Sequence, residues 1–345
     1  MSTPSAFPCI MVRRNDDDQV SFGVETITVD DLPPGDVLIQ VACSSLNYKD
    51  ALACQGHRGI APNLPHVPGI DCAGHVVEAA PGSNFLPGEP VIVTGYELGA
   101  PKWGGLSEYV RVPAEWVVSL PSGLSLAEAM TYGTAGFTAA QCVTHIVQRD
   151  IKPDAGDVVV TGATGGVGSV AVAILAKLGY RVAAVTGKPH EAEWLRSLGA
   201  AELLPREAVD DDSGKPMLSE RWAAAVDTVG GNTLSTLVRS LKYRGVVSAC
   251  GLVGGDQLPL TVYPFLLRGV TLVGIDSAKC PRDMRLDMWA KLSGLWKIDQ
   301  LEQLRREITL DAVPAEIEKM LAGQSFGRVV VTPQTGGEHG EATIY

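Results

Sequence analysis

The sequence predicts an α/β protein in which a doubly wound parallel sheet is joined to a β-rich, coiled domain. Three observations predict it. Short β-like runs split by turns crowd the first 133 residues. Near the middle of the chain, a glycine turn links an apolar strand to a helix. Beyond that turn, apolar strands and helices alternate, the pattern of a sheet covered on both faces.

With 345 residues the chain exceeds what one core usually holds, so two domains are expected. Within 1–133, the segments 37–41, 74–78, 90–94 and 109–112 read as strands, punctuated by Pro33-Pro34-Gly35, Pro81-Gly82 and Pro87-Gly88. No long amphipathic helix stands out there. Residues 134–275 read as a nucleotide-binding unit. It opens with an alanine-rich helix at 134–148 and a strand at 157–161. A helix at 166–178 stops at Gly179, a strand at 181–185 follows, and a helix at 191–198 stops at Gly199. Segments 223–227, 245–250 and 270–275 are further strands. In 276–345 the alternation breaks. Helices at 283–295 and 314–321 and a last strand at 328–332 are expected to return to the first domain.

Composition narrows the class. A net charge of -11 opposes a nucleic-acid partner and gives no footprint for an anionic membrane. No apolar stretch reaches the roughly 18 residues of a spanning helix. Residues 1–7 lack a basic region followed by an apolar run, so no secretory signal is expected. Seven scattered cysteines, without a Cys-x-x-Cys pair, read as reduced thiols in a cytoplasmic protein.

The chemistry-bearing signal is the turn itself. Ala163, Gly165 and Gly168 satisfy the spacing of a dinucleotide-binding turn, placed between a strand and a helix start. A side chain at Gly165 would block backbone approach to a pyrophosphate. The absent side chain at Gly168 lets the helix pack close to the strand, and the helix N-terminus offers unpaired N–H groups to the phosphates. An acidic residue about 20 positions on would bind the ribose 2′-hydroxyl of NAD. This chain has Thr186, Gly187 and Lys188 there, a hydroxyl and a cation suited to the 2′-phosphate of NADPH. Arg206 is a second cation, near the end of the next unit. At the carboxyl ends of later strands, Gly251 and Leu252 are plausible nicotinamide neighbours. Asp227 reads equally as a turn cap or a contact.

Six blocks carry a resemblance. Three precede the turn: Ser44-Ser45-Leu46-Asn47-Tyr48-Lys49-Asp50-Ala51, Pro65-His66-Val67-Pro68-Gly69-Ile70-Asp71 and Trp103-Gly104-Gly105. The others are Gly133-Thr134-Ala135-Gly136-Phe137-Thr138-Ala139, Pro264-Phe265-Leu266-Leu267-Arg268 and Gly274-Ile275-Asp276-Ser277. In this order they resemble the acrylyl-CoA reductase branch of the zinc-free medium-chain dehydrogenase/reductase superfamily, a branch that includes proteins labelled quinone oxidoreductases. The resemblance implies a Rossmann sheet at 134–275 and a GroES-like catalytic domain shared by 1–133 and 276–345. It also implies NADPH-dependent reduction of acryloyl-CoA to propanoyl-CoA by a cytoplasmic homodimer. Cofactor contacts are implied at Tyr48, Thr164, Gly165, Gly166, Val167, Thr186, Gly187, Lys188, Arg206, Leu252 and Ser277. Two departures stand out. The family tends to carry Arg-Asp-Glu where this chain has Arg206-Glu207-Ala208. Lys188 stands where arginine is frequent, which keeps the charge without the bidentate fork.

No metal is expected. Zinc alcohol dehydrogenases of the superfamily carry Gly-His-Glu where this chain has Gly69-Ile70-Asp71, and a ligand cysteine where it has Asn47-Tyr48. Cys72 and His75 cannot close a tetrahedral site by themselves. Hydride addition to an α,β-unsaturated thioester places negative charge on the thioester oxygen. Tyr48 reads either as the acid that meets it or as a packed aromatic with a satisfied hydroxyl, and Asn47 as a stabiliser of the enolate oxygen. Lys49 and Asp50 read as a structural pair. Lys279, Arg282, Arg285 and Arg328 read as cations at the cleft edge, more often solvated than phosphate-binding. Two rivals stay open: a quinone or enone reductase using the same cofactor, and a NADPH-binding protein without catalysis. An exposed strand at 270–275 could pair across a two-fold axis.

Overall fold

The structure, a computed structural model, describes residues 5–334. Part of the segment read for a secretory signal (1–4) and the end of the return segment (335–345) lie outside the described residues. The first half of the chain carries β1 (Phe7–Arg14), β2 (Val20–Ile27), β3 (Val37–Ser45), α1 (Tyr48–Cys54), β4 (Asp71–Ala79), β5 (Pro90–Thr94), β6 (Tyr109–Val112) and β7 (Val118–Ser119). The middle runs through α2 (Leu126–Gln148), β8 (Val158–Val160), α3 (Gly166–Lys177), β9 (Val182–Val185), α4 (Ala192–Ser197) and β10 (Ala200–Leu204). Then come β11 (Trp222–Asp227), α5 (Gly231–Ser240), β12 (Leu241–Ala249), α6 (Tyr263–Arg268) and β13 (Thr271–Gly274). The last elements are α7 (Arg282–Ser293), α8 (Leu301–Leu304), β14 (Arg305–Thr309), α9 (Val313–Leu321) and β15 (Arg328–Thr332).

The doubly wound sheet is the six-stranded parallel one, in the order β10-β9-β8-β11-β12-β13. Its central strands are apolar throughout because helices cover both faces: every residue of β8 and β9 is buried. The strand order reverses between β8 and β11, and β8 feeds the glycine turn. That is the switch point where an open α/β sheet binds ligands. The β-rich part is a seven-stranded sheet, β14-β15-β3-β4-β5-β7, with β6 also paired to β3. A separate hairpin, β1-β2, packs its apolar face on the β-rich core. Strand β15, from the far end of the chain, pairs antiparallel with β3 at Val330 and Val331.

Element α2 departs from the sequence reading. It begins at Leu126, not 134, because Ser125 and Glu128 form a capping box. The composition shift at Gly133 marks a break inside it. Gly133 has φ 49°, and a Cβ there would lie 2.5 Å from Asp71 Oδ2 and 2.9 Å from Arg328 Nη2. No other residue leaves both the backbone conformation and the space that those charged groups occupy. Hairpin β1-β2, strands β7, β10 and β14, and helices α1, α5, α6 and α8 also escaped the sequence reading; α6 has six residues, α1 seven and α8 four. Among the described residues, no helix is long and apolar enough to cross a membrane.

Candidate active site

The site is built on a buried polar knot where β3, β4, α2 and β15 meet. Asp71 begins β4 and is fully buried. Its Oδ2 accepts from Ser45 Oγ (2.7 Å), Asn47 Nδ2 (2.7 Å) and the Thr134 backbone N–H (2.9 Å), and its Oδ1 accepts from Thr134 Oγ1 (2.6 Å). Arg328 Nη2 stands 4.0 Å away. That guanidinium is itself enclosed, donating to the carbonyls of Thr131 and Leu46 and to Ser45 Oγ. Asp50 lies alongside. One oxygen caps the Asn47 N–H at 2.7 Å, and the other accepts from the backbone of Gly69 (3.1 Å) and Ile70 (2.9 Å). Burial, and then the nearby Asp71 charge, push the Asp50 carboxyl up to about 7, against the pull of those N–H donors.

Two sequence expectations are corrected here. Lys49 and Asp50 are not a pair: Asp50 is spent on backbone donors, and Lys49 is half-buried with no hydrogen-bond or ion-pair partner among the described residues. Asn47 does not offer an amide hydrogen to a substrate. Its Nδ2 donates to Asp71 Oδ2 and to the Ser45 carbonyl at 3.1 Å, which uses both hydrogens. The reversed amide would set oxygen against the Asp71 carboxylate, so the orientation is determined by the knot.

The knot holds α1, and α1 presents Tyr48 at its first position. Tyr48 is 48% exposed, and its hydroxyl has no partner among the described residues, so it is not a packed aromatic with a satisfied hydroxyl. Tyr48 lines a cleft of about 300 Å³ together with Asn47, Lys49, Val167, Cys250 and Ser277. The opposite wall is pinned by Arg285. Its guanidinium lies 4.2 Å from the Tyr96 ring and 4.8 Å from that of Phe137, and donates to the carbonyls of Thr94, Ser277 and Ala278. Arg285 and Arg328 are therefore buried staples, not solvated cations at the cleft edge. Arg282 is exposed but donates to the Glu115 and Val117 carbonyls; Lys279 is exposed, its ammonium without a partner among the described residues.

An adjoining cleft of about 480 Å³ shares Cys250, Ile275 and Asp276 with the first and is lined by Gly251 and Leu252. The glycine turn borders this region. A Cβ on Gly168 would lie 2.8 Å from Ala163 Cα and collide with the Gly162 carbonyl, whereas one on Gly165 would meet only that carbonyl, at 3.2 Å. Gly168 is thus needed for packing, whereas a side chain at Gly165 would be crowded by one carbonyl alone. Past β9, Thr186 Oγ1 lies 3.3 Å from Thr164 Oγ1 and accepts from the Lys188 N–H. The Arg206 side chain lies against Gly187, where a Cβ would sit 2.5 Å from its Nε. Burial, partly countered by Glu191 and reinforced by Arg206, lowers the Lys188 ammonium. Lys188 Nζ donates to the Ser325 carbonyl, and Gly327 N–H to the Thr164 carbonyl, so the segment before β15 straps the turn. Asp227 is a turn cap: it accepts from Thr161 Oγ1 and the Gly230 N–H and is fully buried. All seven cysteines are free thiols, six of them buried.

Comparison with known proteins follows this architecture. Residues 33–122 match the family described as alcohol dehydrogenase GroES-like domain, and 166–293 the one described as zinc-binding dehydrogenase. A Bacillus subtilis relative named as a quinone oxidoreductase, YhfP, is 47% identical over 94% of this chain and 98% of its own. The acrylyl-CoA reductase AcuI of Ruegeria pomeroyi is 44% identical over 94% of this chain and 98% of its own. The chain belongs to the medium-chain dehydrogenase/reductase superfamily. Among solved structures of the superfamily, the Salmonella enterica oxidoreductase yhdH in complex with NADP superposes with a TM-score of 0.91. It is 43% identical, over 95% of this chain and all of the other. Bacillus subtilis yhfP with NAD bound gives 0.92 at 46% identity, over 95% and all. Within this superfamily, the zinc-type Gly-His-Glu is replaced by a side chain in the cleft, Ile70, and one turned inward, Asp71. Cys72 is buried and His75, on the same strand, is exposed. No three His, Cys, Asp or Glu side chains gather as a metal site among the described residues.

The raised Asp50 carboxyl gives a pH dependence. Between the unfolded carboxyl value, about 4, and about 7, the folded chain holds a proton that the unfolded chain has released. Stability contributed by Asp50 therefore falls as pH rises through that window and is flat above it. Asp71 and Arg328 are the charged groups facing it. The melting temperature of the wild type minus that of Asp50→Asn, followed by calorimetry from about pH 5.5 to 8.5, is expected to decline towards neutrality and then level. A difference constant across the range would show that the Asp50 carboxyl does not titrate near neutrality.

Proposed function

We propose that the chain is a cytoplasmic, NADPH-dependent reductase that converts acryloyl-CoA to propanoyl-CoA. The observation that carries this reading is the unpartnered Tyr48 hydroxyl in a cleft walled by the carboxyl ends of β12 and β13 and by the start of α3. A dinucleotide fits the turn on this chain's own geometry: no side chain at Gly165, where a Cβ would meet only the Gly162 carbonyl, and the free N–H groups of the first turn of α3. Thr164, Gly165, Gly166 and Val167 would hold its pyrophosphate, Thr186, Gly187, Lys188 and Arg206 its 2′-phosphate, and Tyr48, Leu252 and Ser277 the nicotinamide end. When bound, NADPH supplies a hydride to the β-carbon of the activated alkene.

The protein's own groups do the rest. Tyr48 O–H donates to the thioester oxygen as negative charge gathers there, and serves as the acid for the α-carbon directly or through water. Asn47 is a positioning residue: its bonds to Asp71 and Asp50 hold Tyr48 at the start of α1. A quinone or enone is the second reading, because such an acceptor would meet the same donor and the Bacillus subtilis relative carries that name.

The assembly we infer is a homodimer. Strand β13 is one of the two edges of the parallel sheet, and beside it Val262, Tyr263, Leu266 and Leu267 are exposed apolar residues, Leu266 at 75%. A second copy paired edge to edge covers both.

Four measurements test these assignments. NADPH oxidation is read with acryloyl-CoA, crotonyl-CoA and a benzoquinone side by side; acryloyl-CoA is expected to lead, and a clear preference for the quinone overturns the first reading. In the same assay Tyr48→Phe is expected to lower kcat about 100-fold with the NADPH Kd nearly unchanged; undiminished turnover removes the acid role. Arg206→Ala is expected to raise the KM for NADPH about tenfold and leave that for NADH alone, and equal effects on both would place the 2′-phosphate elsewhere. Sedimentation should give twice the chain mass for the wild type and the chain mass for Leu266→Asp with Leu267→Asp; a monomeric wild type refutes the dimer.

A further inference from the structure

We propose that Lys49 is the specificity determinant that makes this cleft prefer a thioester on a phosphorylated carrier over neutral alkenes and quinones. The inference rests on the reading of the cleft as an acyl-CoA reductase site and names the group that recognises the carrier. Coenzyme A is a polyanion and the protein carries a net charge of -11, so the two repel at long range. Some local cation has to overcome that at the mouth of the cleft.

The cations expected there from sequence are largely spent. Arg285 and Arg328 are buried under their own acceptors, and Arg282 is bonded to the carbonyls of Glu115 and Val117. Lys49 is the one basic residue on the cleft wall among the described residues. It is half-buried and its ammonium has no partner there, although its neighbour Asp50 is a carboxylate. A cation on the cleft wall with no counter-ion is available to a ligand that brings an anion. The one acidic residue on the wall, Asp276, does not supply it: no ion pair joins the two, and its Oδ1 accepts from the Ala278 and Lys279 N–H groups. Lys279 follows the lining residue Ala278, is exposed, and its ammonium has no partner among the described residues, so it adds positive potential near the cleft. A quinone or simple enone offers neither lysine anything.

The test compares acryloyl-CoA with acryloyl-pantetheine, the same reacting thioester without phosphates, on the holoenzyme at low and moderate salt. For Lys49→Met, the ratio of kcat/KM for the two substrates is expected to fall about tenfold, carried by KM of the CoA substrate, and to lose part of its salt dependence. Lys49→Arg should restore most of the ratio. An unchanged ratio, an equal loss on both substrates, or a raised NADPH Kd in Lys49→Met overturns the assignment. A wild type that reduces benzoquinone but not acryloyl-CoA overturns the functional reading as well, whereas a wild type active on acryloyl-CoA with an unchanged ratio overturns Lys49 alone.

Discussion

The Asp71 carboxylate accepts from Ser45 on β3, Asn47 before α1 and both donors of Thr134 in α2, and it faces Arg328 from β15. The partners come from three separate stretches of chain, so this one buried charge registers both sheets' supporting elements against each other. An ion so enclosed is tolerable only if every lone pair is met, and loss of one partner typically costs about 3–5 kcal/mol. The geometry of the knot explains features that look unrelated: the break in α2 at Gly133, the locked Asn47 amide, and the exposed position of Tyr48.

The same constraint separates what holds the site from what works in it. Asn47, Asp50, Asp71, Arg285 and Arg328 all have their polar atoms turned into the protein and serve as framework. The groups left facing the cleft include the Tyr48 hydroxyl, the Lys49 ammonium, the Asp276 carboxylate and the loop at Ser277. A conjugate reduction asks little more, since an activated alkene needs one donor near the developing charge and a hydride source held in place.

The parallel sheet was legible because its strands are unbroken apolar runs with glycine stops, and the cofactor turn because its spacing is dictated by backbone packing, as the contacts at Gly168 show. Tyr48 and Ser277, 229 positions apart in number, could be joined only through resemblance, yet they line one cleft. What stayed hidden was the polar knot. An arginine ahead of Val329-Val330-Val331 looks like a surface charge, and only pairing of β15 with β3 reveals that it is buried. Its signal was present: a lone cation abutting a wholly apolar strand is a candidate for internal pairing. Asn47 was misjudged for a related reason. Residue type announces a donor, but the partner that consumes its hydrogens lies 24 residues on and across a sheet. The short helices carried too few turns for a periodicity to show.

The bond from Arg328 to the Leu46 carbonyl spans 282 residues. During synthesis, therefore, the segment that presents Tyr48 leaves the ribosome long before the guanidinium that fixes it exists. The buried acids Asp50 and Asp71 must wait solvated, with the cleft unformed, until translation has passed β15. Commitment to a reactive site is thereby postponed until β15 has been made, and a product terminated between β13 and β15 would retain a glycine turn and a parallel sheet without the organised cleft needed to use them.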